Sequence, residues 1–361
     1  MATTAFALAG LGGFNAHGAG FLTAASECGV VPDLVTATSG QIVVLADWLL
    51  GKDLEKALVV PELEHNLAAQ IAIAFSGDPG VFRPAYADAI RRWLKPPSPW
   101  DRPLEFALNR LAPAQLYVPT RKRDDFKTIA QAFNSRAKVA GKDIGIVFNA
   151  YDFATGEAVL FGNDTARKNK KLWPPSKKIP QKPLSAGARR RRTATNTGSE
   201  EPELELRHIT AEAVESALWL SLYGFEGLPQ PHLIDGAYTR SCIVSELHQF
   251  DRIFVARPLA RGWPGKPPRN WFEVQDWQTE MWFSAGYKAE VDTLTKINRL
   301  VDNGTLGRPF KHVDLIEIAP ESPVGFFNYF VERKKVFKRA HDEAIKAFSA
   351  IGATSTAGGE G

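Results

Sequence analysis

Three short stretches hold residue types that could do chemistry together. Ser39 sits in Ala37-Thr38-Ser39-Gly40-Gln41, between two apolar runs. A serine on a sharp turn from a strand into a helix holds its hydroxyl clear above the sheet, where it can attack a carbonyl carbon. The same place also suits a helix N-cap. Asp235 opens Asp235-Gly236-Ala237, directly after His232-Leu233-Ile234. A carboxylate beside a flexible turn can take a hydroxyl proton as general base, and Asp-Gly is equally an ordinary turn pair. Gly10-Leu11-Gly12-Gly13 follows Phe6-Ala7-Leu8-Ala9. A glycine loop ahead of a helix points free backbone N–H groups at one spot, where a phosphate or a developing oxyanion can sit. A tight strand-to-helix turn needs the same residues. Each stretch by itself leaves both readings open.

The elements that must position these residues follow from the hydrophobic pattern. Phe6 to Ala9 reads as a strand. Ala16 to Cys28 is alanine-rich and reads as a helix that Gly29 ends. Leu34 to Thr38 is a second buried strand, and Ile42 to Leu50 a nearly all-apolar helix. This order favours a parallel sheet with helices on its faces. Further helices are expected over Leu54 to Val59, Ala85 to Leu94 and Asp125 to Ala140, with Pro/Gly breaks between them such as Pro96-Pro97-Ser98-Pro99. Ile144 to Asn149 and Ala158 to Phe161 flank Thr155-Gly156 as a hairpin. Thr210 is a candidate N-cap for a helix over Ala211 to Tyr223. Strands are expected at Ile253 to Ala256 and Val313 to Ile318. Helices are expected over Trp277 to Val301 and Val331 to Ile351, before a frayed tail of ten residues.

Taken in order, these features resemble the patatin-like phospholipase family. The resemblance rests on the glycine loop, on Val31-Pro32-Asp33-Leu34 ahead of Thr38-Ser39, on the central hairpin and on Ile209-Thr210-Ala211-Glu212-Ala213-Val214 before Asp235. It covers about half of the chain and weakens after residue 270. It implies a three-layer α/β/α fold with a mostly parallel central sheet, here carrying a helical insertion and a basic loop. It also implies a Ser–Asp dyad that cleaves acyl esters of lipids. Carried over by position, Ser39 is the nucleophile and Asp235 the base. The backbone N–H groups of Gly10, Gly12 and Gly13 form the oxyanion hole, and Ala37, Thr38, Gly40, Gln41, Gly236 and Ala237 support the two motifs. The resemblance implies no histidine, metal or cofactor; His17 and His232 read as structural. The chain departs from the family at Phe14 or Asn15, where Arg or Lys is usual, and at Ala37 and Gln41, where glycine is usual. It departs again at Ser221-Leu222-Tyr223-Gly224, where a proline turn is common.

Composition bounds the remaining classes. The chain has 361 residues, 44% hydrophobic and 23% charged, enough for a sizeable core. Its 44 basic and 40 acidic residues give +4. Arg167 to Arg192 alone carries eleven Lys and Arg and no acid, so the remainder has 33 basic against 40 acidic residues, or −7. That distribution argues against a uniformly basic nucleic-acid-binding domain. The expected partner is a lipid ester; the run 167–192 reads first as a solvated loop, with an anionic membrane surface as the second reading, and no nucleic acid is expected. Two cysteines make no disulfide framework, and no uncharged apolar run reaches a membrane span. With no basic N-terminal leader pattern, the expectation is a cytoplasmic protein, peripheral at a membrane if attached to one.

The expected division is residues 1–50 and 208–325 as the two parts of the catalytic domain, with 142–162 as its hairpin. Residues 51–141 form the insertion and candidate cap, 163–207 a basic mobile loop, and 326–361 a C-terminal helix and tail. Two other readings accompany the hydrolase. One is a weakened relative that binds lipid or regulates, motivated by the altered elbow. The other is a thioesterase or storage-polyester hydrolase, because the dyad does not choose the leaving group. Trp263, Trp271, Trp277 and Trp282 read as core packing with an exposed rim.

Overall fold

The computed structural model describes residues 2–10, 15–59, 77, 81–94, 115, 117–173, 205–260, 262–263, 266–269, 271–307, 310–320 and 333–357. It leaves out the side chains at 88, 89, 92, 93, 271, 272, 276 and 352–357. Gly12, Gly13, Phe14, the proline run at 96–99 and most of the basic run, 174–192, therefore lie outside the described residues.

The chain starts with β1 (Thr4–Leu8), α1 (Asn15–Glu27), β2 (Leu34–Ala37), α2 (Gln41–Leu49) and α3 (Leu54–Leu58). Then come β3 (Phe82–Pro84), α4 (Tyr86–Leu94), β4 (Tyr117–Pro119) and α5 (Arg123–Ser135). Two short strands follow, β5 (Lys138–Val139) and β6 (Lys142–Asp143), before the central hairpin β7 (Gly145–Asp152) and β8 (Glu157–Gly162). Next are α6 (Asp164–Lys168), β9 (Arg207–His208), α7 (Ala211–Ala217), β10 (Leu233–Asp235) and β11 (Arg252–Ala256). The last elements are α8 (Trp271–Asp302), β12 (Asp314–Ile318) and α9 (Arg333–Ala357).

One eight-stranded sheet organises the molecule, in the order β12-β11-β1-β2-β7-β8-β9, with β10 also paired to β7. The strands from β12 to β7 run parallel, β8 and β10 are antiparallel to β7, and β9 is parallel to β8. Helices cover both faces, so this is a three-layer α/β/α arrangement with a mostly parallel sheet. The alternation along β1 shows why. Phe6 and Leu8 point to one core with α1, α2, α5, α7 and α9, while Ala5 and Ala7 point to the other with Tyr287 and Leu294 of α8. On the first face, Phe6 meets Phe21 edge-on at 5.0 Å and Phe254 at 5.8 Å, and Phe348 of α9 closes the cluster against Phe254 at 4.8 Å. Among the described residues, no helix is long and apolar enough to cross a membrane.

Several boundaries differ from the sequence expectation. The helix expected to reach Ala140 stops at Ser135. Ala140 (φ 48°) and Gly141 (φ 80°) both take left-handed backbone and close a two-residue hairpin between β5 and β6. The helix before it, α5, is no detached cap element. Its Phe126, Ile129, Ala130 and Phe133 are buried in the core. The helix expected over Ala211 to Tyr223 ends at Ala217 and resumes only as a 3-10 turn over Ser221–Tyr223, closed by Gly224 at φ 74°. Residues 163–173, expected at the start of the basic loop, are folded against the body of the protein. Asn163 caps α6, Trp173 is buried, and the Arg167 guanidinium donates to the Leu206 carbonyl at 3.0 Å. The C-terminal helix continues to Ala357, beyond the expected fraying point.

Candidate active site

Ser39 stands between β2 and α2 with φ 54°. A non-glycine residue in the left-handed region stores of order 1–3 kcal/mol of strain and persists only where its surroundings impose it. Gly10, at the end of β1, supplies part of that imposition. A Cβ on Gly10 would lie within 3.0 Å of the Thr38 carbonyl and 2.8 Å from Ser39 Cβ. No other residue lets β1 come so close to the turn. This corrects the role expected of Gly10. Its N–H donates to the Ser241 carbonyl at 2.8 Å, so it is not a free oxyanion donor. Gly12 and Gly13 lie outside the described residues. Gly40 follows Ser39 as the N-cap of α2, where backbone N–H groups and the helix field favour negative charge.

Asp235 reaches Ser39 through an arrangement of strands around β7. Strand β2 pairs with β7 up to Ala37 opposite Phe148. Strand β10 pairs with β7 from the other direction and ends with Asp235 opposite Ala150. The two C-terminal ends therefore converge along β7 on either side of Asn149. Ser39 Oγ donates to Asp235 Oδ2, joining residues 196 apart in the chain. The other carboxylate oxygen accepts the Ala237 N–H at 2.8 Å. Both side chains are almost fully buried, Ser39 at 2% exposure and Asp235 at 1%. Burial pushes the Asp235 carboxyl up from 3.8 to about 7, outweighing the two hydrogen bonds that pull it down. A carboxyl half-ionised near neutral pH suits a general base.

Asn149, which the sequence reading passed over as a strand residue, ties the two motifs together. The Thr38 hydroxyl donates to Asn149 Oδ1 at 2.8 Å, and Asn149 Nδ2 donates to the Arg240 carbonyl at 3.0 Å. A Cβ on Gly236 would fall within 3.0 Å of the Asn149 side chain and backbone, so glycine is required after Asp235 by close approach. The signal was available: a polar side chain in an otherwise apolar buried strand must find partners. Beyond it, Arg240 is clamped by Glu246 at 2.6 Å and by Glu290 of α8 at 2.7 Å, which fixes the turn after Asp235.

Two departures from the expected motif are accommodated. Ala37 is buried and small. Gln41 is buried too, and its side chain lies over Gly18 of α1, where a Cβ would be within 3.0 Å of Gln41 Oε1. The bulk at the elbow is thus taken up by a missing side chain on the neighbouring helix.

A small cavity of about 40 Å³ lies against the dyad. That is room for a few waters and not for an acyl chain. Asn15, at the start of α1, lines it; the residue is buried and, among the described residues, its Oδ1 has no hydrogen-bond partner. Val81, Pro119 and Arg121 line it from the β3–β4 hairpin and the residues flanking it, so part of the 51–141 insertion covers the site. Leu218, Leu220 and Tyr223 complete that side, and the Tyr223 hydroxyl donates to the Val81 carbonyl at 3.0 Å.

The two singled-out histidines lie in structural settings. His17 Nε2 bonds the Ile318 carbonyl at 3.0 Å, and burial lowers its pKa to about 4, so it is neutral at physiological pH. His232 packs its ring edge-on against Phe153. Of the tryptophans, Trp263 is half-buried, while Trp277 and Trp282 are exposed and Trp282 stacks on Phe283. The side chain of Trp271 lies outside the described residues.

Comparison with known proteins adds little to this geometry. No protein-family model matches the chain, and no curated protein matches it. Among solved structures it is similar to VipD from Legionella pneumophila, at 10% identity and a TM-score of 0.38, over 97% of this chain and 67% of that one. A superposition that loose leaves the functional reading to the site itself.

Proposed function

We propose that the protein is a serine lipid acyl hydrolase of patatin-like type, working through Ser39 and Asp235. One observation carries the reading: a serine in strained left-handed backbone at a strand-to-helix turn, hydrogen-bonded to a buried carboxylate whose pKa burial raises to about 7. The Asp235 carboxylate takes the Ser39 hydroxyl proton as Oγ attacks the ester carbonyl carbon. The negative charge that forms on the carbonyl oxygen faces the start of α2. As the tetrahedral intermediate collapses, the C–O bond to the alcohol breaks and Asp235 returns the proton to that oxygen. Water then gives a proton to Asp235 and attacks the Ser39 acyl ester; the acyl C–Oγ bond breaks, Asp235 returns the proton to Ser39 Oγ, and the carboxylic acid leaves. The apolar walls at Val43, Val81 and Leu220 suit an acyl chain once the cover moves.

The test is labelling with a fluorophosphonate probe and location of the modified residue by mass spectrometry. Modification at Ser39, lost in Ser39→Ala, is the expected result, together with fatty-acid release that Ser39→Ala and Asp235→Ala both abolish. Labelling elsewhere, or full turnover in either variant, refutes the dyad. A panel of phospholipid, thioester and polyester substrates identifies the leaving group, and saturable lipid binding without any labelling would favour the non-catalytic reading.

A further inference from the structure

Helix α4 carries Tyr86, Ile90 and Leu94 at a spacing of four, which places them on one stripe. All three face solvent, at 59%, 61% and 78% exposure. Single exposed apolar residues are ordinary, but a continuous stripe on a short amphipathic helix is the feature that marks a docking surface.

Its place in the fold says what docks there. Ala85 alone separates α4 from β3, and β3 pairs with β4 in the hairpin that brings Val81 and Pro119 over the dyad. A second exposed apolar group borders the same cover. Leu222 lies within the 3-10 turn whose Tyr223 lines the cavity and bonds Val81, Phe225 lies just beyond it, and Phe153 meets Phe225 edge-on at 5.4 Å. Cations accompany the apolar face. Arg83 on β3 and Arg91 on α4 are exposed, Arg121 lines the cavity, and α4 as a sequence has two arginines against one acid. The acids next along the chain from Arg121 are already engaged: Asp124 with Lys127 at 2.9 Å and Asp125 with the Lys122 N–H at 2.7 Å. An exposed apolar stripe on a helix that carries arginine, next to the cover of an ester site, fits a lipid surface with anionic headgroups.

We infer that α4 lies in the interface of an anionic lipid surface, apolar stripe down, and seats the cover of the Ser39 cavity against it. The choice of a lipid surface rests on the ester-hydrolase reading. Any contribution of the basic run beyond residue 173 is separated from that of the stripe by experiment.

The experiment is cosedimentation of the full chain with phosphatidylcholine vesicles, with and without phosphatidylglycerol. Every protein carries Ser39→Ala, so that binding is read without turnover. Ile90→Glu/Leu94→Glu is expected to lower vesicle partitioning at least about tenfold, since two apolar anchors become charged. Circular dichroism and thermal unfolding establish that the variant is folded. Deleting 174–200 is expected to lower only the salt-sensitive part of binding and to leave the effect of the double substitution in place. An independent readout uses Leu94→Cys carrying an environment-sensitive fluorophore, in a Cys28→Ser background because Cys28 is exposed and Cys242 buried. A blue shift on adding vesicles supports the docking. Unchanged partitioning of the double variant, or no shift at position 94, overturns it. So does a change of oligomeric state in the double variant with vesicle binding intact, which would assign the stripe to a second copy of the chain. Failure of Ser39 labelling in the wild-type chain, with normal vesicle binding by the Ser39→Ala protein, would remove the hydrolase reading and leave the lipid surface standing.

Discussion

Asp235→Asn should exchange activity for stability, by an amount that depends on pH in a defined way. In the unfolded chain the carboxyl titrates near its ordinary value of 3.8, and in the folded protein burial raises it to about 7. Between those values the folded state holds a proton that the unfolded state has lost. Stability therefore falls as pH rises, by about 1.4 kcal/mol per pH unit, for a total of about 4 kcal/mol. The contribution is fully present below the unfolded pKa and is lost as pH rises through about 7. Asparagine does not titrate. The unfolding free energy of the variant relative to wild type should thus grow by about 2 kcal/mol between about pH 5 and pH 7, then level off above about pH 8. Asparagine presents one acceptor where the carboxylate presents two, to Ser39 and to Ala237. That costs about 1 kcal/mol at every pH and offsets the curve without changing its slope. The measurement is urea unfolding at constant ionic strength, with the slope m checked for constancy. Alongside it, kcat/KM of the wild type should rise with pH to a midpoint near 7, while the variant stays inactive throughout. Parallel stability profiles for the two proteins across this range would refute the reasoning, because Asp235 would then titrate in the fold as it does in the open chain.

Three further perturbations test the positioning of the dyad. Gly10→Ala drives a methyl group into the Thr38 carbonyl, so a loss of about 2–3 kcal/mol and of Ser39 labelling is expected; a stable, labelled variant would contradict it. Asn149→Leu leaves the Thr38 hydroxyl and the Arg240 carbonyl without their partner in the interior, which should cost about 1–3 kcal/mol and lower kcat more than it raises KM. Gly18→Ala should destabilise through Gln41 and be rescued by adding Gln41→Gly, so a double-mutant cycle that comes out additive would show that the two residues do not interact.

Much of the scaffold was legible in the residues because its causes are local. Strand β1 and strand β2 are short, mostly apolar runs, as buried central parallel strands commonly are. Gly29 ends α1 in left-handed backbone, and Thr210 caps α7 through its side chain on the Ala213 N–H at 3.1 Å. Where the reading failed, a left-handed turn or a distant partner decided. The run ending at Ala140 looked helical until the left-handed pair Ala140-Gly141 turned it into a hairpin. Helix α5 looked like part of a separate insertion, yet its apolar face completes the core with α7 and α2. Gly10 was read as a hydrogen-bond donor, when the approach of β1 to the Ser39 turn is what requires it.

The sequence by itself determined which residue types stand at each turn. It placed a serine between a strand and an apolar helix, glycines where side chains cannot fit, and an aspartate at the end of a short strand. Those are properties of a few neighbouring residues, set by backbone sterics and burial. Only the tertiary structure decided that the serine and the aspartate meet. Their contact requires β2 and β10 to pair with β7 from opposite directions, and the register puts Asn149 between them. It also requires enough protein above the pair to exclude water and raise the carboxyl to about 7. Pairing register and desolvation are sums over the whole fold, so no window of the sequence contains them.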